Sequence, residues 1–394
     1  MTSTRLGDLL EVKHGYAFPG DGFGQRTDAP QVLTPGNFAL GGGFQAAKPK
    51  SFDGEYPGEF LLQGGEVVVT MTDLSKAGDT LGFAAVLPDG EFLHNQRIGL
   101  VRLSRPELLD ERYFAYLTRT DGYRAHIIGT ASGSTVRHTS PSRIGDYWVE
   151  LPSLAVQRAT AEVLGALDDK IAANTNLAFK AMGLASLLFD RATIDARVVA
   201  MSEVLTPVLG GTPSRARDDY WGGSNLWISA KDATNASNSV VLGTEEHISD
   251  LAIRETKAKP LPAGSVILTA RGTVGAVARL AVPASFNQSC YGFAPDGIPS
   301  SILYFGIRRA ADRAKAIAHG SVFDTITMKT FQHLEFPSFS PADAAQLDAR
   351  LAPLLAAVDE AMRSNRTLAA TRDTLLPQLM SGNLRVRDLE RSMG

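Results

Sequence analysis

The chain is close to being written twice. Leu6-Gly7-Asp8-Leu9-Leu10 with a following Gly15 returns as Met201-Ser202-Glu203-Val204-Leu205 with Gly210. A nearly constant offset, about half the chain, then carries Val32-Leu33-Thr34-Pro35-Gly36-Asn37 onto Leu226-Trp227-Ile228-Ser229-Ala230-Lys231-Asp232. It also carries Gly65-Glu66-Val67-Val68-Val69-Thr70 onto Gly264-Ser265-Val266-Ile267-Leu268-Thr269, and Asn95-Gln96 onto Asn287-Gln288. Gly133-Ser134 and Gly320-Ser321 follow, then Leu151-Pro152-Ser153-Leu154 and Phe336-Pro337-Ser338-Phe339. Each match is short, but their shared order is hard to obtain by chance, and a repeat of this kind decides the architecture before any local reading does.

Inside each copy the pattern changes once. Short β-rich runs such as Val67-Val68-Val69 and Val266-Ile267-Leu268, broken by Gly, Pro and Asn, read as strands and turns of a mixed domain. After Pro152 the spacing becomes helical: Leu164, Leu167, Ile171, Asn174, Ala178, Ala181, Ala185 and Leu188 alternate by three and four, a coiled-coil seam. Leu347, Leu351, Leu354, Val358, Ala361, Asn365, Leu368, Arg372, Leu375 and Leu379 repeat it. Ser340-Pro341-Ala342-Asp343 supplies a cap, a first-turn proline and an early acid, whereas Pro353 should kink or restart the helix. Each seam carries one Asn, a residue that fixes register at a cost in stability.

The fold expected is therefore α+β: two repeated mixed α/β domains separated by two long antiparallel coiled-coil helices, with pseudo-twofold symmetry. The expected boundaries are 1–152 and 196–339 for the domains, 153–195 for the first helix, and 340–394 for the second helix and tail. Cys290 stands alone, so an internal disulfide and a cysteine-rich zinc site are both excluded, and a small buried apolar role fits it. The N-terminus lacks a secretory pattern and no apolar run is long enough to span a bilayer, so a cytoplasmic protein away from membranes is expected.

These residues carry a family resemblance over nearly the whole length. Leu6-Gly7-Asp8 with Gly15-Tyr16-Ala17-Phe18, the run from Gly65 to Asp73, Asn95-Gln96-Arg97, and Ser132-Gly133-Ser134-Thr135-Val136-Arg137-His138 resemble a first target-recognition domain of the DNA-specificity subunits of type I restriction-modification systems. Leu151-Pro152-Ser153-Leu154-Ala155-Val156-Gln157-Arg158 with Leu164-Gly165-Ala166-Leu167-Asp168-Asp169-Lys170-Ile171 resembles the start of the family's first spacer helix, and Leu376-Pro377-Gln378-Leu379-Met380-Ser381-Gly382 the end of its second. The resemblance implies two domains that each read half of a gapped duplex site, helices that set the gap, and two modification subunits docked on them. S-adenosylmethionine would sit in those partners, not in this chain, and motor-nuclease subunits are optional additions. The second copy departs from the pattern: Phe323-Asp324-Thr325-Ile326 stands where the first has Thr135-Val136-Arg137-His138.

Motifs that would make this chain the enzyme are missing. It has no Asn-Pro-Pro-Tyr-like run, no Gly-x-x-x-x-Gly-Lys-Ser/Thr loop and no His-Glu-x-x-His signature. Glu255-Thr256-Lys257 and Asp168-Asp169-Lys170 imitate the end of a nuclease site but arise readily by chance among 42 acids and 39 bases. Gly41-Gly42-Gly43 reads as a turn.

With a net charge of −3 the chain cannot simply coat DNA, so any contact must be local. Residues 122–145 contain no acid yet hold Arg124, His126, Arg137, His138 and Arg143 among Ser132, Ser134, Thr135 and Ser140. In the second copy Arg308, Arg309, Arg313, Lys315 and His319 lead to Ser321. Candidate DNA contacts are Lys13, Tyr16, Arg124, Ser134, Thr135, Arg137, His138 and Arg143 in the first copy, and Arg215, Trp221, Lys231, Arg271, Lys315 and Ser321 in the second. Leu167, Ile171, Asn174, Val358, Asn365 and Leu368 are the candidate spacer and partner positions. Asn95-Gln96 and Asn287-Gln288 recur in both halves, which favours a shared structural role over base reading. Two rivals remain: a fused modification enzyme, and a coiled-coil adaptor without DNA.

Overall fold

The computed structural model describes residues 3–48, 50–318 and 325–386. It divides into two compact units, residues 1–169 with 369–394, and residues 170–368. The division falls inside the long helices. Each recognition region takes part of both helices into its own core, because the buried helix faces pack on the nearby strands and helices.

In the first unit, β1 (Leu10–His14), β2 (Val67–Thr70), β4 (Ala84–Val86) and β5 (Ile98–Leu103) form an antiparallel sheet ordered β1-β5-β2-β4. A two-residue strand, β3 (Thr72–Asp73), pairs with β6 (Arg137–His138). Helices α1 (Glu111–Leu117) and α2 (Asp121–Thr130) contribute Tyr113, Phe114, Tyr123 and Ile127 to the core beneath the sheet. Residues 154–169 of α3 (Leu154–Ala192) and 369–380 of α5 (Pro341–Met380) close that core with Ala161, Leu164, Leu376 and Leu379.

The second unit repeats the plan. Strands β7 (Val208–Leu209), β9 (Val266–Thr269), β10 (Val277–Leu280) and β11 (Cys290–Phe293) take the order β7-β11-β9-β10, and β8 (Val240–Val241) adds a parallel edge beside β10. Helix α4 (Ser300–Ala318) lies against this sheet, with Leu303, Tyr304 and Ile307 fully buried. Phe189 from α3 and Leu347, Leu351 and Leu355 from α5 complete the core.

The repeated glycines have a steric reason. A Cβ on Gly15 would lie 2.3 Å from the Asn95 carbonyl oxygen, and one on Gly210 would lie 2.2 Å from that of Asn287. Both contacts are with backbone, which cannot swing aside. The Asn-Gln pairs close the same turn twice: the Asn95 side-chain oxygen accepts from the Arg97 N–H at 3.0 Å, and that of Asn287 accepts from the Ser289 N–H at 3.1 Å. A residue bound to its own turn is building backbone.

The helix start after Pro152 depends on Gln157. Its amide donates to the Leu108 and Pro152 carbonyls at 2.8 and 2.9 Å and accepts from the Asp110 N–H at 3.0 Å, with the residue fully buried. The restart expected at Pro353 does not occur, and α5 runs without interruption from Pro341 to Met380. Leu351 and Leu355 are buried on either side of Pro353, so packing on both flanks offsets the hydrogen bond that proline removes. Gly41, Gly42 and Gly43 all take positive φ, as their turn requires. Cys290 is buried in the second unit, and burial pushes its thiol up to about 12.

Candidate nucleic-acid interface

In the first unit the acid-free stretch folds into one connected cluster. Strand β6 sets Arg137 opposite Asp73 and His138 opposite Thr72, and the Thr72 hydroxyl meets His138 Nδ1 at 3.2 Å. Ser132 and His138 exchange backbone hydrogen bonds at 3.0 and 2.8 Å, closing a loop that leaves Ser134 and Thr135 exposed. Gly133 makes that loop possible: its φ is +90°, and a Cβ there would sit 2.0 Å from the Val136 carbonyl. Arg143 donates to Ser132 Oγ at 2.9 Å and the His138 carbonyl at 3.4 Å, while Arg137 Nε donates to the Lys76 carbonyl at 3.0 Å. The result presents hydroxyls and cationic groups, the donor types that grip phosphates.

Arg124 is half-buried and engaged within the protein. Its guanidinium stacks 3.9 Å from the centre of the Phe83 ring and donates to the Leu81 carbonyl and, at 2.9 Å, to the Gly78 carbonyl. It holds the 71–81 loop from within instead of facing solvent. Charge alone cannot show which arginine of a basic stretch points inward. Lys13 is exposed on β1, and Tyr16 joins an aromatic group with its ring 5.0 Å from Phe18 and 5.3 Å from Phe60.

In the second unit Arg215 lies 3.6 Å over the Trp221 ring and pairs with Glu246 through both carboxylate oxygens. Trp221 is half-buried, donates to the Ser214 carbonyl at 3.1 Å and meets Trp227 edge-on at 5.1 Å. Arg215 therefore presents a neutralised, stacked guanidinium, and Glu246, 31 residues away, gave no sign of this in sequence. Lys231 is exposed at the second position of a short helix (Ala230–Asn235). Arg271 is exposed in the short link after β9, and a Cβ on Gly275 in the following turn would come within 2.7 Å of the Lys315 stem.

The remaining basic run on α4 is not a bare cationic face. Arg308 pairs with Asp312 at 3.9 Å, Arg309 with Asp190 at 3.2 Å, Arg313 with Glu335, and Lys315 with Asp312 at 3.5 Å. Acids supplied by the turn of the helix and by other elements match it, which lowers its pull on phosphates. His319 and Ser321 lie outside the described residues.

The helix seams hold polar groups in both units. In the first, Asp168 accepts from Arg372 at 2.7 Å and from the Tyr116 hydroxyl at 2.9 Å, and lies 3.0 Å from Arg119. Burial would raise its carboxyl, but the Arg119 and Arg372 charges win and hold it below the usual carboxylate range. Leu167 beside it is half-buried. In the second unit the Asn174 amide donates to Ser364 Oγ at 3.1 Å, and the Asn365 amide donates to the Ile171 carbonyl at 3.3 Å and Thr175 Oγ1 at 3.0 Å. Val358 is fully buried on this seam, and Ile171 and Leu368 are half-buried. These antiparallel pairings fix register within each unit. No helix among the described residues is long and apolar enough to cross a membrane.

Two side chains escaped the sequence reading. Asp73 ends a recognised motif but showed its role only through Ser75 and Thr80, whose backbone N–H groups donate to it at 2.6 and 2.5 Å. Arg279, buried in β10, pairs with Asp359 of α5 at 2.7 Å, a contact between residues far apart in the chain.

The duplicated sequence and the fold have counterparts among known proteins. The family model described as type I restriction modification DNA specificity domain matches residues 1–178 and again 194–346. The specificity subunit of the type I restriction enzyme MjaIX from Methanocaldococcus jannaschii is 32% identical over 141 residues, 35% of this chain and 33% of that subunit. The HindI specificity subunit from Haemophilus influenzae is 23% identical over 189 residues, 47% of this chain and 41% of that one. The chain thus spans between a third and about two-fifths of the length of the curated relatives it matches. A crystal structure of a type I restriction-modification system S subunit from M. genitalium shares the fold, with a TM-score of 0.64 at 12% identity, covering 96% of this chain and 95% of that one. Matched twice along its length, the chain belongs to the family of type I restriction modification DNA specificity domains.

Proposed function

We propose that this chain is the sequence-reading component of a type I restriction-modification complex and is not catalytic by itself. Each unit reads one half of a gapped duplex site in the cytoplasm. The observation that carries this reading is the pairing of a constant frame with different loops: both units use one strand order, yet the loop after the central strand spans residues 71–81 in the first and 270–274 in the second. A shared frame with divergent loops is what two readers of different half-sites require. On this reading the partners are two modification subunits, which hold S-adenosylmethionine and perform the methyl transfer, with motor-nuclease subunits joining in systems that also cut. The chain's own contribution is to position them on the duplex through phosphate contacts and to select the bases.

The test is a pair of measurements on the purified full chain. Alone, it should transfer no methyl group from labelled S-adenosylmethionine to DNA. With its modification subunits it should select a split motif of two short halves and a fixed gap from a random duplex library. Methyl transfer by the single chain, or selection of one uninterrupted motif, would overturn the proposal.

A further inference from the structure

The shared frame makes the loops directly comparable. In the first unit the Gly82 N–H donates to the Thr70 carbonyl at 2.9 Å, closing residues 71–81 into a loop. In the second unit the Gly275 N–H donates to the Thr269 carbonyl at 2.9 Å around residues 270–274, fewer than half as many. The anchors correspond as well: the Met71 carbonyl accepts from the Thr139 N–H at 3.0 Å, and the Ala270 carbonyl from the Ile326 N–H at 3.0 Å. The extra residues of the first unit therefore sit on a conserved stem.

That longer loop is braced. Asp73 is 6% exposed; its Oδ1 accepts from the Ser75 N–H at 2.6 Å, and its Oδ2 accepts from the Thr80 N–H at 2.5 Å and the Thr80 hydroxyl at 2.7 Å. Ser75 Oγ accepts from the Gly78 and Asp79 N–H groups at 3.0 and 2.9 Å, and Arg124 grips the loop from beneath. Bracing of this density fixes one shape before any ligand arrives. Directly after the buried Asp73, Leu74 is 67% exposed. The same loop carries exposed Lys76 and Asp79, and the β3–β6 pairing and the bond to the Lys76 carbonyl tie Arg137 and His138 to it.

We infer that residues 72–81 are a specificity-determining loop of the first unit and that Leu74 makes its apolar contact with a DNA base. This rests on the DNA-reading function proposed above. A leucine has no donor or acceptor, so it cannot read the hydrogen-bonding code. It reads either the thymine methyl group or the face of an opened base step. Neighbouring cations hold the backbone while the rigid loop carries the leucine inward. The second unit, lacking these residues, reads its own half by other means.

The experiment compares the full chain with Leu74→Ala, each assembled with the modification subunits, in selection from a random duplex library. The exposed position predicts unchanged thermal unfolding for the variant, and Leu74→Ser, which also removes the branched apolar group, serves as a second replacement. The expected result is an unchanged second half and gap, with preference at one or two adjacent positions of the first half relaxed roughly five- to tenfold. Uracil in place of thymine at those positions should cost the wild type the same discrimination if the methyl is read. A 2-aminopurine placed there should brighten with the wild type and not with Leu74→Ala if a step is opened. If the wild type itself selects no split site, the DNA-reading function fails, and this inference with it. If the wild type selects a split site and both variants select the same first half with equal strength, the function stands and the inference is overturned. Weakened subunit assembly with an intact motif would likewise overturn it, assigning Leu74 to a protein contact.

Discussion

Asp168 ties three groups of the first unit together, because one carboxylate serves Arg119, Arg372 and the Tyr116 hydroxyl. Removing it strands the buried Arg119 guanidinium, 6% exposed, and leaves Arg372 to Asp373 alone; breaking a buried pair in this way costs on the order of 3 kcal/mol. Asp168→Ala should therefore lower the unfolding temperature of the first unit by several degrees at neutral pH, read by calorimetry. Its folded carboxyl lies below the ordinary value of 3.8. The stability it supplies is thus complete above that unfolded value and is lost as pH falls through the lower folded one. Asp168→Asn should show a shallower loss of stability than the wild type as acid is added below about pH 4; equal slopes would show that the carboxylate is not the group being titrated. The same residue scale explains what charge reading missed. Arg124 and Arg215 look like DNA contacts by type, but Phe83 and two carbonyls claim one, and Trp221 with Glu246 claims the other.

Among the elements, α3 and α5 are held by two kinds of contact within the second unit. Small Ala178, Ala181 and Ala361 pack with Val358 and Met362, while Asn174 and Asn365 reach across to polar partners. Apolar packing favours close approach but tolerates sliding by a turn, whereas a side-chain amide has its partner at one offset only. The Asn174–Ser364 bond is open to a double-mutant cycle. Asn174→Ala and Ser364→Ala, singly and together, should give a coupling of about 1 kcal/mol in the unfolding of the second unit. A coupling near zero would mean that the amide is merely tolerated on the seam. The helix periods were legible in sequence because the pattern of three and four is local, as was the cap at Ser340, whose Oγ accepts from the Asp343 N–H at 3.2 Å. Continuity through Pro353 was not, since the packing of Leu351 and Leu355 that overrides the proline belongs to the second unit's core.

For the whole molecule, each unit has its own sheet and its own core, and each retains a share of both long helices. Separate cores predict separable specificities. Exchanging residues 1–150 for the matching region of a relative should change one half of the selected site and leave the other half and the gap unaltered. Random-library selection with the assembled complex reads this directly. A change in both halves would show that the units read DNA jointly.

The sequence by itself determined the duplication, the alternation of β-rich domain and long helix, and the seams, because each is a pattern of spacing that survives without knowing what touches what. It also marked residues 122–145, since an absence of acids is visible in a string of letters. Only the tertiary structure decided which of those cations faces outward. It also showed that the recognition regions draw the helices into their own cores and that Asp73 braces a loop found in one copy alone. Those outcomes depend on carbonyls, rings and carboxylates brought from tens to hundreds of residues away, and a side chain's direction is set by such partners rather than by its neighbours in sequence.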